Sequence, residues 1–191
     1  QLAREKQLAE TQREAAEKAR RDIALLSEIG RRITAIRDPE AICQTLYEHA
    51  RELVPADVFG VGRVDWQERL LHYDFVRQQG RPVRPYVRSL DIPDQPSVQC
   101  VLEARELVLT HITQDHRVLD EVARRRAGTD RLQLLDQGEP IVAGSGLYVP
   151  MLLKDQVIGV IGVVSEREAA FGPAELDILR TLGAYAAVAY D

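Results

Sequence analysis

The sequence predicts an α+β fold: a central antiparallel sheet, N- and C-terminal helices packed on one face, and loops with short helices covering the other. Three observations carry this expectation. Helical composition and periodicity occupy both ends of the chain. Five or six short strand patterns lie between them. The last two strands are joined by a turn far too short for a parallel crossover, so they pair as a hairpin.

Residues 1–37 hold no Pro and a single Gly, and they are dense in Glu, Arg, Lys, Ala and Leu, which favours helix. A seven-residue spacing runs through Leu2, Ala9, Ala16, Ile23 and Gly30, with Ala19, Leu26 and Ile33 on the partner positions of a coiled-coil seam. Glu5 and Gln12 spoil the early part of that seam. A second apolar stripe passes through Leu25, Ile29, Ile33 and Ile36, so the helix has one side for a partner helix and one for its own domain. Asp38 then caps a second helix with Pro39 at its first position, and that helix stops near Val54-Pro55.

Val58–Val64 and Leu70–Arg77 read as strands around an Asp65–Arg69 turn. Gly80–Pro96 contains four prolines and reads as loop with a short extended piece at Tyr86–Leu90. Pro96-Ser97 opens a helix through about Ala104, Leu107–Leu109 is a short strand, Val118–Arg126 is helical and Gly128–Pro140 is irregular. Strands Leu147–Leu153 and Val157–Ser165 follow, with Lys154, Asp155 and Gln156 as their turn. Gly172 and Pro173 start the final helix, as N-cap and first residue.

At 191 residues, with 45% hydrophobic and 29% charged residues, the chain suits one ordinary domain plus an extension. A net charge of −5 argues against nucleic acid as the main partner, because phosphate-binding proteins present a basic face. Cys43 and Cys100 stand far apart without metal-ligand spacing, which excludes a zinc knuckle and fits a reduced, cytoplasmic setting. No segment reaches the roughly 18–20 apolar residues of a membrane span, so this stretch predicts no membrane contact. The helical pattern is already under way at Gln1, so the sequence reads as part of a longer protein that could be membrane-anchored upstream.

Searching for catalytic motifs turns up none. Ser145 in AGSGL lacks nucleophile-elbow spacing. His111 and His116 bracket a turn without an evident third ligand, so neither a metal nor a catalytic residue is predicted. Gly60 and Gly62 lie within a strand pattern and read as sites of close packing.

The stretch Gly146–Asp191, with its Val149-Pro150, polar turn, Ile158-Gly159-Val160, Phe171-x-Pro173-x-Glu175-Leu176 and small-residue helix, resembles the C-terminal half of a GAF domain. GAF domains are small sensory or regulatory modules that usually control an attached output domain. By this resemblance residues 38–191 form the GAF domain, residues 1–37 form a signalling helix, and helix 173–191 leads to an output domain absent from this sequence. A diguanylate cyclase is the first output expected, a histidine kinase the second. Cys100 has no neighbouring His, which argues against a bilin chromophore; the cyclic-nucleotide signature of the phosphodiesterase type is absent. The cofactor therefore stays unassigned.

The resemblance also implies a ligand cavity between sheet and covering loops, holding a small molecule such as a nucleotide. Here its polar and aromatic members would be Tyr73, Tyr86, Arg88, His111, Asp115, His116, Ser145 and Tyr148. The final helix carries Leu176, Leu179, Gly183, Ala186 and Tyr190 on one stripe. With Ala19, Ile23, Leu26 and Ile33 they predict a parallel homodimer through a four-helix bundle. Two other roles compete: a purely structural dimerisation module with a filled pocket, and a methionine-sulfoxide reductase of this fold. Such reductases resemble GAF domains with several reactive cysteines, a set that Cys43 and Cys100 do not supply, so a regulatory domain is expected.

Overall fold

The computed structural model describes residues 2–33, 36, 38–112 and 143–190. Its first helix, α1, spans Leu2–Ile33. From Glu10 to Arg21 every side chain is exposed, whereas Ile29 and Ile33 are fully buried. The change follows the sequence, since the early turns offer mainly charged residues and alanine. Gly30 lies where α1 meets the last helix: a Cβ at this position would stand 2.8 Å from the Tyr185 ring. The single glycine of the helix thus admits an aromatic ring against its backbone.

Helix α2 (Pro39–Leu53) begins as the sequence predicts, with Asp38 Oδ1 accepting from the Glu40 N–H at 3.3 Å and Pro39 in the first turn. It buries Ile42, Cys43, Leu46 and Ala50. The strands are β1 (Val58–Asp65), β2 (Leu70–Gln78), β3 (Arg81–Pro82), β4 (Tyr86–Ser89), β5 (Leu107–Leu109), β6 (Ser145–Leu153) and β7 (Gln156–Ser165), with α3 (Pro96–Glu103) between β4 and β5. Helix α4 (Pro173–Ala189) closes the described chain, and Glu175 Oε2 accepts from the Gly172 N–H at 2.8 Å at its start.

These seven strands make one sheet in the order β3-β2-β1-β7-β6-β5, with β4 also on β2, and every pairing is antiparallel. The proline-rich stretch after β2 contributes β3 and β4, where only one extended piece was expected. Pro82 is tolerated because β3 pairs on one side alone, so its missing N–H breaks no second ladder.

Alternation along the strands divides the interior into two clusters. One holds Phe59, Val61, Leu147, Val149, Ile161 and Val163 with the buried sides of α1, α2 and α4. The other holds Leu71, Tyr73, Val76 and Val160 with Val98, Cys100 and Val101 of α3. The helices from the two chain ends therefore share one face, and α3 lies on the other. Small residues let α4 lie flat: a Cβ on Gly183 would meet Ile161 at 3.2 Å and Val149 at 3.7 Å. Val118–Arg126 and Gly128–Pro140 fall outside the described residues. No described helix is long and apolar enough to cross a membrane.

The β6–β7 turn is tighter than the sequence predicts. Gln156 pairs with Leu153, leaving Lys154 and Asp155 alone as the loop. Both are left-handed, with φ of 47° and 66°, as a primed two-residue turn requires to match strand twist. Neither is the Asn-Gly that normally announces such a turn. Asp155→Gly removes the Cβ from a left-handed position, and that relief exceeds the added unfolded-state entropy. It is expected to raise the urea-unfolding free energy by about 0.5 kcal/mol; a fall would contradict the turn geometry.

Candidate functional site

The face covered by α3 carries a cavity of about 140 Å³. Its floor is backbone. Gly60 of β1 pairs directly with Gly162 of β7, so the two central strands offer no side chain at that row. The same row continues to Val76 on β2 and Tyr148 on β6, which bound the gap on either side. Val58 and Val164, a second cross-strand pair, line the next position.

Aromatic rings lean over the glycines. A Cβ on Gly162 would stand 2.7 Å from the Tyr148 ring, and one on Gly60 would stand 3.3 Å from the Tyr73 ring. The close packing predicted for Gly60 and Gly62 is thus present, and at Gly60 it also borders the cavity. Tyr73 and Tyr86 are cross-strand partners whose rings stack with centroids 4.8 Å apart and planes 19° from parallel. Arg88, two residues beyond Tyr86 on the same side of β4, sets its guanidinium 5.4 Å from the Tyr86 centroid and 5.9 Å from that of Tyr73.

Gln95, Pro96 and Ser97, at the start of α3, complete the lining. Gln95 and Ser97 are buried polar residues, and Ser97 hydrogen-bonds the Tyr73 side chain. Burial raises the Tyr73 phenol well above its ordinary range, the neighbouring Tyr86 adds to this, and Arg88 opposes it. The phenol stays a neutral hydrogen-bonding group. The positive end of the α3 dipole meets the same cavity. Among its described lining residues Arg88 alone is charged.

Four of the eight residues expected at a ligand site come together here: Tyr73, Tyr86, Arg88 and Tyr148. Asp115 and His116 lie outside the described residues. His111 is exposed, with Nδ1 3.2 Å from Glu168 Oε2, and is not part of the lining. Ser145 does something else. Its hydroxyl donates to the Arg167 carbonyl at 2.6 Å and accepts from the Ala170 N–H at 3.2 Å, fastening the β7–α4 loop to β6. Asp57 Oδ2 reinforces that loop by accepting from Ser165 Oγ and the Glu166 N–H. Gln95, Ser97 and the Gly60–Gly162 pair were missed as site residues. The Pro96-Ser97 helix start marked the first two as a boundary, and the glycines carried only a packing signal.

The residues expected at a dimer interface divide differently. Ala19 and Ile23 are exposed, Ile23 at 64%. Ile33, Leu179, Gly183 and Ala186 are buried in the chain's own core, with Leu176 and Tyr190 partly buried against it. The α4 stripe thus packs within the chain's own core, against the sheet, where its apolar surface is removed from water. The Leu26 side chain lies outside the described set.

The thiols are separated by the sheet, Cys43 in the cluster under α4 and Cys100 in the cluster under α3. Burial pushes the Cys43 thiol up to about 11, against the pull of its 2.9 Å contact with the Tyr190 hydroxyl. Burial likewise raises Cys100 to about 12. Neither environment favours a thiolate nucleophile.

The sequence matches the GAF domain family over residues 36–191. No curated protein is similar to it in sequence at a significant level. Among solved structures it is similar to the free methionine-R-sulfoxide reductase of Neisseria meningitidis, at 16% identity, covering 91% of this chain and 90% of that one, with a TM-score of 0.66. It is similar also to the GAF domain of an Acinetobacter phosphoenolpyruvate-protein phosphotransferase, at 16% identity, 87% and 90% coverage and a TM-score of 0.65. The corresponding GAF domain from Coxiella burnetii matches at 12% identity, 88% and 92% coverage and a TM-score of 0.62. At these identities the structures speak for the fold alone.

Two outcomes test this geometry. Gly162→Ala forces the Tyr148 ring aside and should cost about 1–3 kcal/mol of stability in urea unfolding; an unchanged midpoint would mean the ring does not rest on the strand. For the thiols, a folded pKa above the unfolded value means that their contribution to stability is full below the ordinary 9.0 and lost as pH rises toward 11 for Cys43. Near the ordinary thiol pKa both should label far more slowly with an aromatic disulfide in the native protein than in urea. Fast native labelling would refute their burial.

Proposed function

This chain belongs to the GAF domain family, and from that premise we propose that it is a regulatory sensor domain, working in the cytoplasm, that binds a small molecule over the Gly60–Gly162 floor and controls an attached output domain. The observation that carries the reading is the cavity itself: a bare patch of backbone at the centre of a sheet face, walled by Tyr73, Tyr86, Tyr148 and Arg88. A sheet face meant only to pack would place apolar side chains there, as the opposite face does with Phe59, Val61, Ile161 and Val163. Binding sites are concave and apolar with a few placed polar groups, which describes this lining.

Residues 38–191 would then be the sensing unit and α1 the connecting helix. The proposed output is a diguanylate cyclase, with a histidine kinase as the second class to test; the support is the long exposed helix leading into the domain and the sensory character of the family. A regulatory role is favoured over a reductase because the two thiols are buried on opposite faces of the sheet, outside the cavity. Thermal-shift measurements with cyclic nucleotides, cyclic dinucleotides, amino acids, fatty acids, haem and small organic acids test the sensor reading. Stabilisation by none of them would sink it.

The proposal includes a parallel homodimer, now placed on α1. Ala19 and Ile23 remain exposed, and a helix with an apolar seam gains stability by pairing. Ile23→Glu should leave the circular dichroism of the domain unchanged while shifting sedimentation from dimer to monomer. A wild-type chain already monomeric at working concentration would overturn this part.

A further inference from the structure

The lining of the cavity also narrows what it can hold. Resting on the sensor reading above, we propose that the ligand is an uncharged, flat molecule of single-ring size, lying over the Gly60–Gly162 floor against the lining tyrosines.

Three features converge on this class. The first is charge. Arg88, the one charged residue among the described lining, is already engaged within the chain, with its guanidinium over the Tyr86 and Tyr73 rings. The rest of the described lining is neutral: valines, glycines, tyrosines, Gln95, Pro96 and Ser97. An ion entering such a site gives up its water for groups that return only part of that hydration. The N-terminus of α3 favours an anion, but a helix end contributes much less than taking a carboxylate out of water costs. An uncharged ligand avoids that cost. An apolar lining with a few neutral polar groups suits a ring that carries one hydrogen-bonding substituent.

The second feature is shape. The floor is two paired strands that present no side chain at that row. Beside it stand the Tyr73 and Tyr86 rings, stacked with centroids 4.8 Å apart, and the Tyr148 ring. A flat ring lies on backbone and meets ring faces or edges at once, in the offset and edge-on arrangements that aromatic pairs prefer. A puckered body of equal size keeps fewer of these contacts. Seating it would displace Tyr148, whose ring is 2.7 Å from where a Cβ on Gly162 would stand.

The third is size. The described walls enclose about 140 Å³, close to the roughly 150 Å³ apolar cavity that admits one benzene molecule. That is well below the roughly 300–1,000 Å³ of sites for drug-sized ligands. One ring with a small substituent fills the space, and a second fused ring overfills it.

The test is isothermal titration calorimetry on the whole chain near neutral pH with phenol, cyclohexanol, 2-naphthol, benzoate and benzylamine. Phenol is uncharged there, since such hydroxyls titrate near about 10. Cyclohexanol carries the same hydroxyl on a puckered ring. The expected result is that phenol binds at least about tenfold tighter than cyclohexanol, benzoate or benzylamine, and that 2-naphthol binds no tighter than phenol. Gly60→Ala sets a methyl group 3.3 Å from the Tyr73 ring and 3.5 Å from Val76. It should weaken phenol at least about tenfold with an unchanged circular dichroism spectrum; undiminished binding would put the ligand elsewhere. The probe series on the unaltered protein decides the question even if that variant fails to fold. Tighter binding of benzoate or benzylamine than of phenol overturns the uncharged ligand. Equal binding of cyclohexanol overturns the flat one, and tighter binding of 2-naphthol overturns the single ring. No binding of phenol, with stabilisation by a member of the thermal-shift series, overturns this proposal and leaves the sensor reading standing. Failure of every probe in both series removes the two together.

Discussion

The pairing of Gly60 with Gly162 is the constraint on which the rest of the molecule turns. A sheet with helices on one side and a loop-rich cover on the other needs apolar side chains on both faces, yet the two central strands withhold them at one row of one face. The gap has a cost, since glycine in a strand interior weakens it and packs nothing. Tyrosines offset part of that cost by laying their rings across the bare backbone. Tyr148 covers Gly162, and Tyr73 covers Gly60 and Gly62. The coverage is incomplete, and the remainder is the cavity. Each tyrosine brings a hydroxyl with its ring, and burial keeps that of Tyr73 protonated against Ser97. One pair of missing side chains thus creates both the space and its polarity.

The opposite face shows the alternative solution. Phe59, Val61, Val149, Ile161 and Val163 rise from the same strands and are met by α1, α2 and α4. Glycine serves there as well, but on the helices: Gly183 lets α4 descend onto Ile161 and Val149, and Gly30 lets α1 take the Tyr185 ring. The same residue type opens space when it sits in the sheet and closes space when it sits in a helix. Packing density decides which outcome follows, because a helix can approach a sheet as a body whereas a strand is held in register by its ladder.

Much of this was legible in the sequence because it rests on local rules. Asp38-Pro39 and Gly172-Pro173 start helices through capping and a fixed φ, and the alternating runs of β1, β2, β6 and β7 follow period-2 burial. Four of the cavity residues, Tyr73, Tyr86, Arg88 and Tyr148, were reachable by combining strand alternation with the family resemblance. What escaped depends on partners distant in the chain. Gln95 and Ser97 face the site because of where α3 lies on the sheet, and nothing in Gln-Pro-Ser announces that. Ser145 reads as a pocket hydroxyl from its place on β6, yet it bonds to Arg167 and Ala170 more than twenty residues away. The stripe Leu179, Gly183, Ala186 is apolar whether its partner is a sheet or a second helix, so periodicity alone left both readings open. The left-handed Lys154-Asp155 turn was hidden for the opposite reason: its residues are ones that tolerate the geometry without advertising it.

The two faces are not independent, because a β-strand has no thickness to separate them. Along β7 successive residues alternate between clusters: Val160 faces the α3 side, Ile161 the helical side, Gly162 the cavity and Val163 the helical side again. A ligand resting on Gly162 would therefore press on a strand whose neighbouring side chain, Ile161, is the surface on which Gly183 of α4 sits. Tyr148 and Val149 repeat the arrangement on β6. The helix lies close at that contact, since a Cβ on Gly183 would stand 3.2 Å from Ile161, so on the sensor reading proposed above a shift or twist of the hairpin would reach α4. From α4 the contact between Tyr185 and Gly30 would carry it to α1. Close packing on the helical face would then give the cavity on the other face its use, because a compliant interface absorbs a displacement that a close-packed one passes on.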